Sequence, residues 1–352
     1  MNKNNVIGID LAKTSFQIHK ASESGKVLGR LKRSRSEMPD YLAQLPQSTI
    51  FMEACPTANY WARKAIVAGH EVKLIAPQYV KPFVKGNKND ATDAEAICEA
   101  GCRENMRFVP IKTVTQQDIQ SLHRIRERQV HNCTALSNQI RSLLLEYGLS
   151  APKGKSKLRL LLSDVVNNDE KCSSELSGFM RAEFRVLHEE LKSVDEKIKS
   201  YDEKIAEQCK ANEDCVRLQK IPGIGPITAS SIIAAVGNAE TFENGRQFSA
   251  YLGLVPKQHS TGGKTRLLGL SKRGNSYLRT LLIHGGRAVL ISSGKKTDAR
   301  SLWAAELKEK VGINKAAVAL ANKNARTVWA ILTRKTEYDM NYQKKRSSPP
   351  VI

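Results

Sequence analysis

The sequence predicts an α/β N-terminal part followed by an all-α remainder. Short apolar runs alternate with helical stretches over the first hundred residues, and long helical periodicities take over from about residue 116. Pro- and Gly-containing breaks then divide the later helices.

Val6-Ile7-Gly8-Ile9-Asp10 is a short apolar strand ending in an acid, and Ser15-Phe16-Gln17-Ile18-His19 alternates with strand period. After the turn at Ser24-Gly25, Lys26 to Leu31 supplies a third strand, and Met38 to Leu45 suits a helix. Thr49-Ile50-Phe51-Met52-Glu53 is a second apolar strand ending in an acid; a helix around Tyr60 to Ala68 and a strand at Val72 to Ala76 follow. Three early strands and then alternation predict a mixed sheet with helices on its faces, the ribonuclease-H-like arrangement.

From about Gln116 to Tyr147 the pattern is one long helix, with Arg124, Arg126, Arg128 and Arg141 on a basic face, broken at Pro152-Lys153-Gly154-Lys155. A second long helix runs from roughly Leu176 to Ala211. Its apolar positions Met180, Phe184, Leu187, Leu191, Val194, Ile198, Tyr201 and Ile205 alternate four and three apart. Such a seam predicts a coiled-coil arm, paired with the earlier helix or with another subunit. The expected division is 1–112 for the α/β domain, 113–215 for the helical arm, 216–333 for a small helical C-terminal domain and 334–352 for a basic disordered tail.

Charge narrows the partners. The chain has 352 residues with 56 Lys+Arg against 35 Asp+Glu, a net +21, which favours a polyanion such as nucleic acid. No apolar stretch is long enough to span a bilayer, and the first residues lack a signal-peptide core, so a cytoplasmic protein with no membrane partner is expected. Seven cysteines without a C-x-x-C pair read as reduced thiols, mostly core residues, with no zinc site.

Four acids carry the chemistry. Asp10 and Glu53 end predicted strands, and Asp90 and Asp93 lie three apart where a helix begins, so both can face one place. Two hard cations about 4 Å apart need several oxygen ligands from separate elements. Taken singly, each acid suits a turn or a helix start; on one sheet domain of a very basic chain, a metal site accounts for all four.

Two further segments suit phosphate. Ile221-Pro222-Gly223-Ile224-Gly225-Pro226 precedes a helix from Thr228 to Val236, and Gly223 and Gly225 there allow close approach of a DNA backbone, as in a helix-hairpin-helix; a tight turn packing two helices accounts for it nearly as well. Between Pro256 and Arg279 stand Lys257, Lys264, Arg266, Lys272, Arg273 and Arg279 with no acid, around Ser260-Thr261-Gly262-Gly263. Hydroxyls, paired glycines and cations together suit a phosphate grip, and a hydroxyl there can attack a phosphodiester; on composition alone, a flexible basic loop that only grips DNA is the simpler reading.

Gly8 to Lys13, Met52-Glu53-Ala54, Leu74 to Pro77 with Val84 to Asp90, Ile221 to Gly225, and Gly253 to Arg279, in this order, resemble the DEDD transposases of the insertion-sequence one-ten family, relatives of the pilin-gene invertase. The resemblance covers nearly the whole chain. It implies a Holliday-resolvase-like N-terminal domain, a coiled-coil arm and a C-terminal transposase domain. It assigns Asp10, Glu53, Asp90 and Asp93 to Mg²⁺ or Mn²⁺. It further implies a serine nucleophile linked covalently to a DNA 5′ phosphate, and a Holliday junction between donor and target DNA. A structured bridge RNA would guide the reaction, in a homodimer to homotetramer acting at the nucleoid. In this family the catalytic Ser commonly stands directly before the Gly; here that position is Thr261, preceded by Ser260, so either hydroxyl can serve, with Ser260 preferred because threonine is the more crowded nucleophile. Ser271 is a weaker candidate, better suited to a helix cap or phosphate contact. A junction endonuclease using water, and a non-catalytic nucleic-acid-binding protein, are the rival readings.

Overall fold

The computed structural model describes residues 5–84, 90–167, 176–293 and 298–339; the side chains of Asp90 and Ala91 lie outside that description, as do Cys172 and most of the expected tail. The chain divides into two compact units, Met1–Gln117 with Val236–Glu243, and Asp118–Ala235 with Asn244–Ile352.

The first unit is a mixed α/β sheet domain. Its elements are β1 (Asn5–Leu11), β2 (Ser15–Ala21), β3 (Val27–Ser34), α1 (Met38–Gln44), β4 (Ser48–Glu53), α2 (Ala58–Val67), β5 (Glu71–Ile75), α3 (Pro77–Val80) with a 3₁₀ turn at Lys81–Phe83, α4 (Asp90–Gly101) and β6 (Phe108–Val109). The six strands lie in the order β3-β2-β1-β4-β5-β6. β4 runs parallel to both β1 and β5, and the other pairings are antiparallel. All five longer strands were legible in the sequence; β6, two residues long, carries too little pattern to be seen.

The pleat sends alternate residues to opposite faces. Ile7, Ile9, Ile50, Met52 and Leu74 pack with Met38 and Leu42 of α1 and Trp61, Ala62 and Ala65 of α2. Val6, Phe51 and Ile75 pack instead with Ala96, Ile97 and Ala100 of α4. Two glycines make this second layer close. A Cβ on Gly8 would collide with the Ala94 carbonyl and the Cys98 backbone, and one on Gly101 would collide with the Phe51 ring. Cys98 is buried beneath this contact, and its Sγ–H donates to Cys102, pushing the Cys98 thiol up and bringing Cys102 down to about 7.

The second unit is mostly helical. α5 (Val114–Leu145), α6 (Lys155–Val166) and α7 (Gly178–Lys210) share one core, in which Cys133, Leu136, Ile140 and Leu144 meet Leu158, Leu162 and Val165 and then Phe184, Leu191 and Val194. The expected seam on α7 is therefore met by two helices over its first part. α6 escaped the sequence reading because Pro152 to Lys155 marked only the break before it. Polar ties reinforce the bundle: Asp195 of α7 accepts from Arg159 Nε at 2.7 Å and from Cys133 Sγ at 3.5 Å, and Asp202 pairs with Arg126. Arg126, expected on a basic surface, is thus engaged within the protein.

Beyond α8 (Glu213–Gln219) and α9 (Pro226–Val236) come α10 (Gly245–Tyr251), the antiparallel pair β7 (Pro256–Thr261) and β8 (Lys264–Leu270), then α11 (Ser276–Ser292), α12 (Ala299–Val311) and α13 (Ile313–Arg334). Asn212, Asn244, Asn275 and Asp298 cap the starts of α8, α10, α11 and α12 through their side chains, each cap stabilising its helix by roughly 0.5–2 kcal/mol relative to alanine. Ala316, Ala317 and Leu320 of α13 pack with Leu290 of α11 and Ala304 of α12.

A buried polar link joins α5 to this region. His123, 3% exposed, has Nδ1 3.1 Å from the Tyr277 hydroxyl and Nε2 3.0 Å from Ser230 Oγ. Burial, reinforced by the Arg126 charge, pushes its pKa down to about 4, so the ring is neutral. Among the described residues no helix is long and apolar enough to cross a membrane.

Candidate functional site

Two of the four expected acids lie side by side. Ile9 pairs with Met52 in the parallel ladder, so Asp10 and Glu53 are the next residues along neighbouring strands, whose spacing is about 4.8 Å. Both are half-buried. By strand alternation Asp10 shares its face with Val6 and Gly8, and Glu53 shares its face with Phe51, which is the face that α4 covers.

The other two acids open that covering helix. Asp90 is the first residue of α4 and Asp93 stands one turn on, immediately before the Ala94 carbonyl that rests over Gly8. The glycine two residues before Asp10 is therefore what allows the helix start to lie so close to β1. The acids of α4 differ in use: Glu95 binds Arg30 at 2.7 Å and Glu99 binds Arg103 at 2.7 Å, whereas the Asp93 carboxylate enters no ion pair or side-chain hydrogen bond among the described residues. No cluster of three or more His, Cys, Asp or Glu side chains is drawn tightly enough among the described residues to hold a metal, and the Asp90 carboxylate lies outside them. The donor chemistry nevertheless fits a hard divalent cation, being carboxylate throughout and supplied from two strands and a helix.

The segment from Pro256 to Leu270, expected as a basic loop, is a two-stranded β-ribbon. Thr261 pairs with Lys264 across the two-residue turn Gly262-Gly263, and both glycines have positive φ, 55° and 75°, as the tight primed hairpin turn requires. All of β7, and β8 as far as Gly269, is exposed. The ladder puts the two candidate hydroxyls on opposite faces. Ser260 faces the same way as Gln258, Thr265 and Leu267; Thr261 shares its side with His259, Lys264 and Arg266. Gln258 Nε2 donates to Ser260 Oγ at 2.9 Å. Gln258 was not singled out from sequence, where nothing distinguishes it from any other polar strand residue.

A knot of backbone holds the foot of this ribbon. Gly253 and Gly274 both have positive φ; a Cβ on the first would collide with Arg273, and one on the second with the Tyr251 carbonyl. Arg279 of α11 clamps the crossing, its Nη1 donating to the Leu252 carbonyl at 3.2 Å and the Arg273 carbonyl at 3.0 Å. Of the expected phosphate contacts, Lys257, Lys264, Arg266, Lys272 and Arg273 are exposed, while Arg279 is half-buried with part of its guanidinium engaged. Ser271 is half-buried, and its Oγ has no hydrogen-bond partner among the described residues.

The glycine hairpin between α8 and α9 divides likewise. Gly223 is required by packing: its φ is 87° and a Cβ there would collide with the Gly285 carbonyl of α11. Gly225 stands open at the start of α9, exposed and with nothing near its missing side chain.

A mixed sheet that presents paired acids under an acid-opened helix, in a strongly basic chain with an exposed hydroxyl-bearing ribbon, defines a nucleic-acid-processing protein. The particular family follows from comparison. Residues 7–149 match the family described as a DEDD transposase, and residues 215–302 match the Transposase IS116/IS110/IS902 family. The chain is 48% identical to a probable family 20 transposase of Pseudomonas aeruginosa, over 94% of this chain and 98% of that one. It is 47% identical to the transposase for insertion sequence element IS1111A of Coxiella burnetii, over 95% and 91% respectively. A more distant likeness, 22% identity over 70% of this chain and 69% of the other, links it to a pilin gene-inverting protein of Moraxella bovis. The chain belongs to the IS110/IS116/IS902 family of transposases, enzymes that cut DNA.

Proposed function

We propose that the chain is the recombinase of an insertion sequence, joining donor and target DNA through a serine–phosphate intermediate and a Holliday junction. The observation that carries this reading is the placement of Asp10 beside Glu53 on the sheet face covered by the helix that Asp90 and Asp93 open. The strand order β3-β2-β1-β4-β5, with β3 and β2 antiparallel and β1, β4 and β5 parallel, supports the ribonuclease-H-like assignment. α5 and α7 serve as the coiled-coil arm, and the expected segments 1–112, 113–215, 216–333 and 334–352 are kept as functional divisions.

Asp10, Glu53, Asp90 and Asp93 would hold magnesium or manganese, which when bound offsets charge on the scissile phosphate. Ser260 Oγ attacks phosphorus, the 3′ oxygen leaves with the proton, and the 5′ phosphate remains on the protein. Gln258 favours this choice, because its amide N–H on Ser260 Oγ stabilises negative charge as the hydroxyl loses its proton. Thr261 lies with Lys264 and Arg266 and is the alternative nucleophile. Lys257, Lys264, Arg266, Lys272 and Arg273, with Gly225 and the turn Gly262-Gly263, grip the backbone. Sequence choice is delegated to a bridge RNA in a homodimer or homotetramer, acting in the cytoplasm at the nucleoid.

The test is recombination in vitro between both DNA partners, with the element's non-coding end supplied as RNA and the covalent adduct trapped by denaturation. Ser260→Ala should abolish adduct and product, while Thr261→Ala retains both within a few-fold. The reverse result assigns Thr261, and product without any adduct in the wild type replaces the hydroxyl with water.

A further inference from the structure

At the foot of the ribbon, Leu254 and Leu270 meet Trp303 of α12 and one stripe of α13 that includes Lys315, Asn322 and Arg326, around a cavity of about 630 Å³. The polar α13 positions are 314, 315, 322 and 326, with apolar residues at 318 and 319 between them, a three- and four-residue spacing that keeps them on one helical face. Asn322 Nδ2 donates to the Leu254 carbonyl at 3.0 Å, tying that stripe to the ribbon's base.

The cations lining this cavity are Lys315 and Arg326, and Lys323 and Arg300 stand behind the Trp303 wall rather than in the lining. Lys323 Nζ sits 4.3 Å from the centroid of the Trp303 ring, and its ammonium is disfavoured by burial and by the charges of Arg300 and Arg326. Arg300 is 7% exposed; its Nη1 donates to the Tyr338 hydroxyl, while Nε and Nη2 have no hydrogen-bond partner among the described residues. None of Arg300, Lys323 and Arg326 forms an ion pair among the described residues, and no carboxylate lines the cavity. Cations crowded without a counter-charge are unfavourable unless an anion joins them.

We infer that this cavity receives a single unpaired deoxynucleotide of the DNA substrate, its base against Trp303 and the leucines and its phosphate between Arg326 and Lys315. The inference rests on the DNA-recombining function proposed above and assigns that domain a further binding site. Apolar walls with an aromatic ring suit a base, and the volume lies within the usual range of small-ligand sites but excludes a paired base still in its duplex. A base must therefore leave the stack to enter, as occurs most readily where strands are already being exchanged. A second copy of this chain fits less well, because it carries the same net +21.

The full-length protein can be titrated with a duplex bearing one bulged 2-aminopurine and with the same duplex fully paired. The wild type should quench the bulged base and bind that DNA more tightly than the paired form. Trp303→Leu should weaken binding of the bulged DNA about tenfold and restore its emission, leaving the paired duplex within about twofold. Trp303 also packs in the core of its domain, so the exposed Arg326→Ala is the second variant, with the same selective loss expected. Equal loss on both DNAs, no loss on the bulged DNA, or preference for a ribonucleotide bulge over the deoxy form overturns the inference. A wild type that binds neither duplex overturns the DNA-directed function as well.

Discussion

The sheet domain and the β-ribbon hold their candidate groups in opposite ways. Asp10 and Glu53 sit on strands paired on both sides, and the helix carrying the other two acids is pressed against them through Gly8 and Gly101. Ser260 and Thr261 both sit on β7 of a two-stranded ribbon, exposed among the described residues and fixed at the foot by Gly253, Gly274 and Arg279. A site that binds metal needs ligands held within a few tenths of an ångström, and packing supplies that. A hydroxyl that must be offered to a large substrate gains from standing clear of the core. The contrast teaches that the two halves of the chemistry should fail differently when disturbed.

The largest failure is expected at the acids. Asp10→Asn should lower strand exchange by about a thousandfold or more, since one ligand charge is lost where phosphate charge is offset, while DNA affinity stays within about twofold. Asp90→Asn should do the same, and unchanged recombination would remove that residue from the site. Gly8→Val should act on the packing itself. The side chain has no room beneath Ala94 and Cys98, and overpacking of this kind costs about 1–3 kcal/mol or more. Urea unfolding should show the loss, with recombination falling alongside it; a stable, active Gly8→Val protein would mean the helix does not need its close seat on β1.

How much of this was legible in the sequence depends on the type of signal. The strands that carry Asp10 and Glu53 were readable because each is a short continuous apolar run closed by an acid, and the Asp90–Asp93 helix start because acids three apart share a face. What failed to register was whatever depends on distant partners. Gly8 is an ordinary glycine until α4 lies on it, and Arg279 looks like one more phosphate-binding cation until two carbonyls meet it. The ribbon was hidden because β7 is hydrophilic on both faces and β8 carries adjacent leucines at 267 and 268, so neither strand shows the alternation that marks a half-buried strand; Gly262-Gly263 was the remaining clue. Arg126 and His123 likewise gave no sign in the sequence of the buried network they enter.

That network yields a smaller effect, set by pH. In the folded protein His123 stays neutral down to about pH 4, whereas unfolded histidine takes its proton near 6.5. Between these values the unfolded chain binds more protons, so stability rises with pH across that window. The contribution is fully present above about pH 6.5 and is lost progressively as pH falls toward 4, by up to ~3 kcal/mol. Urea titrations of wild type and His123→Phe at pH 7.5 and 5 should differ in their pH dependence, the variant showing the shallower loss. Equal slopes would show that some other group governs acid sensitivity in the helical unit.

The smallest expected effect separates two roles for one residue. If Arg279 acts as the clamp at the ribbon's foot, Arg279→Ala frees the Leu252 and Arg273 carbonyls from a charged donor. The cost is about 1–3 kcal/mol, the exposed Arg273 carbonyl contributing less of it than the Leu252 carbonyl in its part-buried bond. Amide exchange at Ser271 and Leu254, whose backbone bonds lie beside the crossing, should then quicken, while the salt dependence of DNA binding keeps its slope. If Arg279 instead spends its charge on phosphate, that slope falls by about one and exchange at the foot is unchanged. The clamp predicts a ribbon that loosens without losing a phosphate contact, because a guanidinium committed to two carbonyls has less of its surface left to offer the DNA.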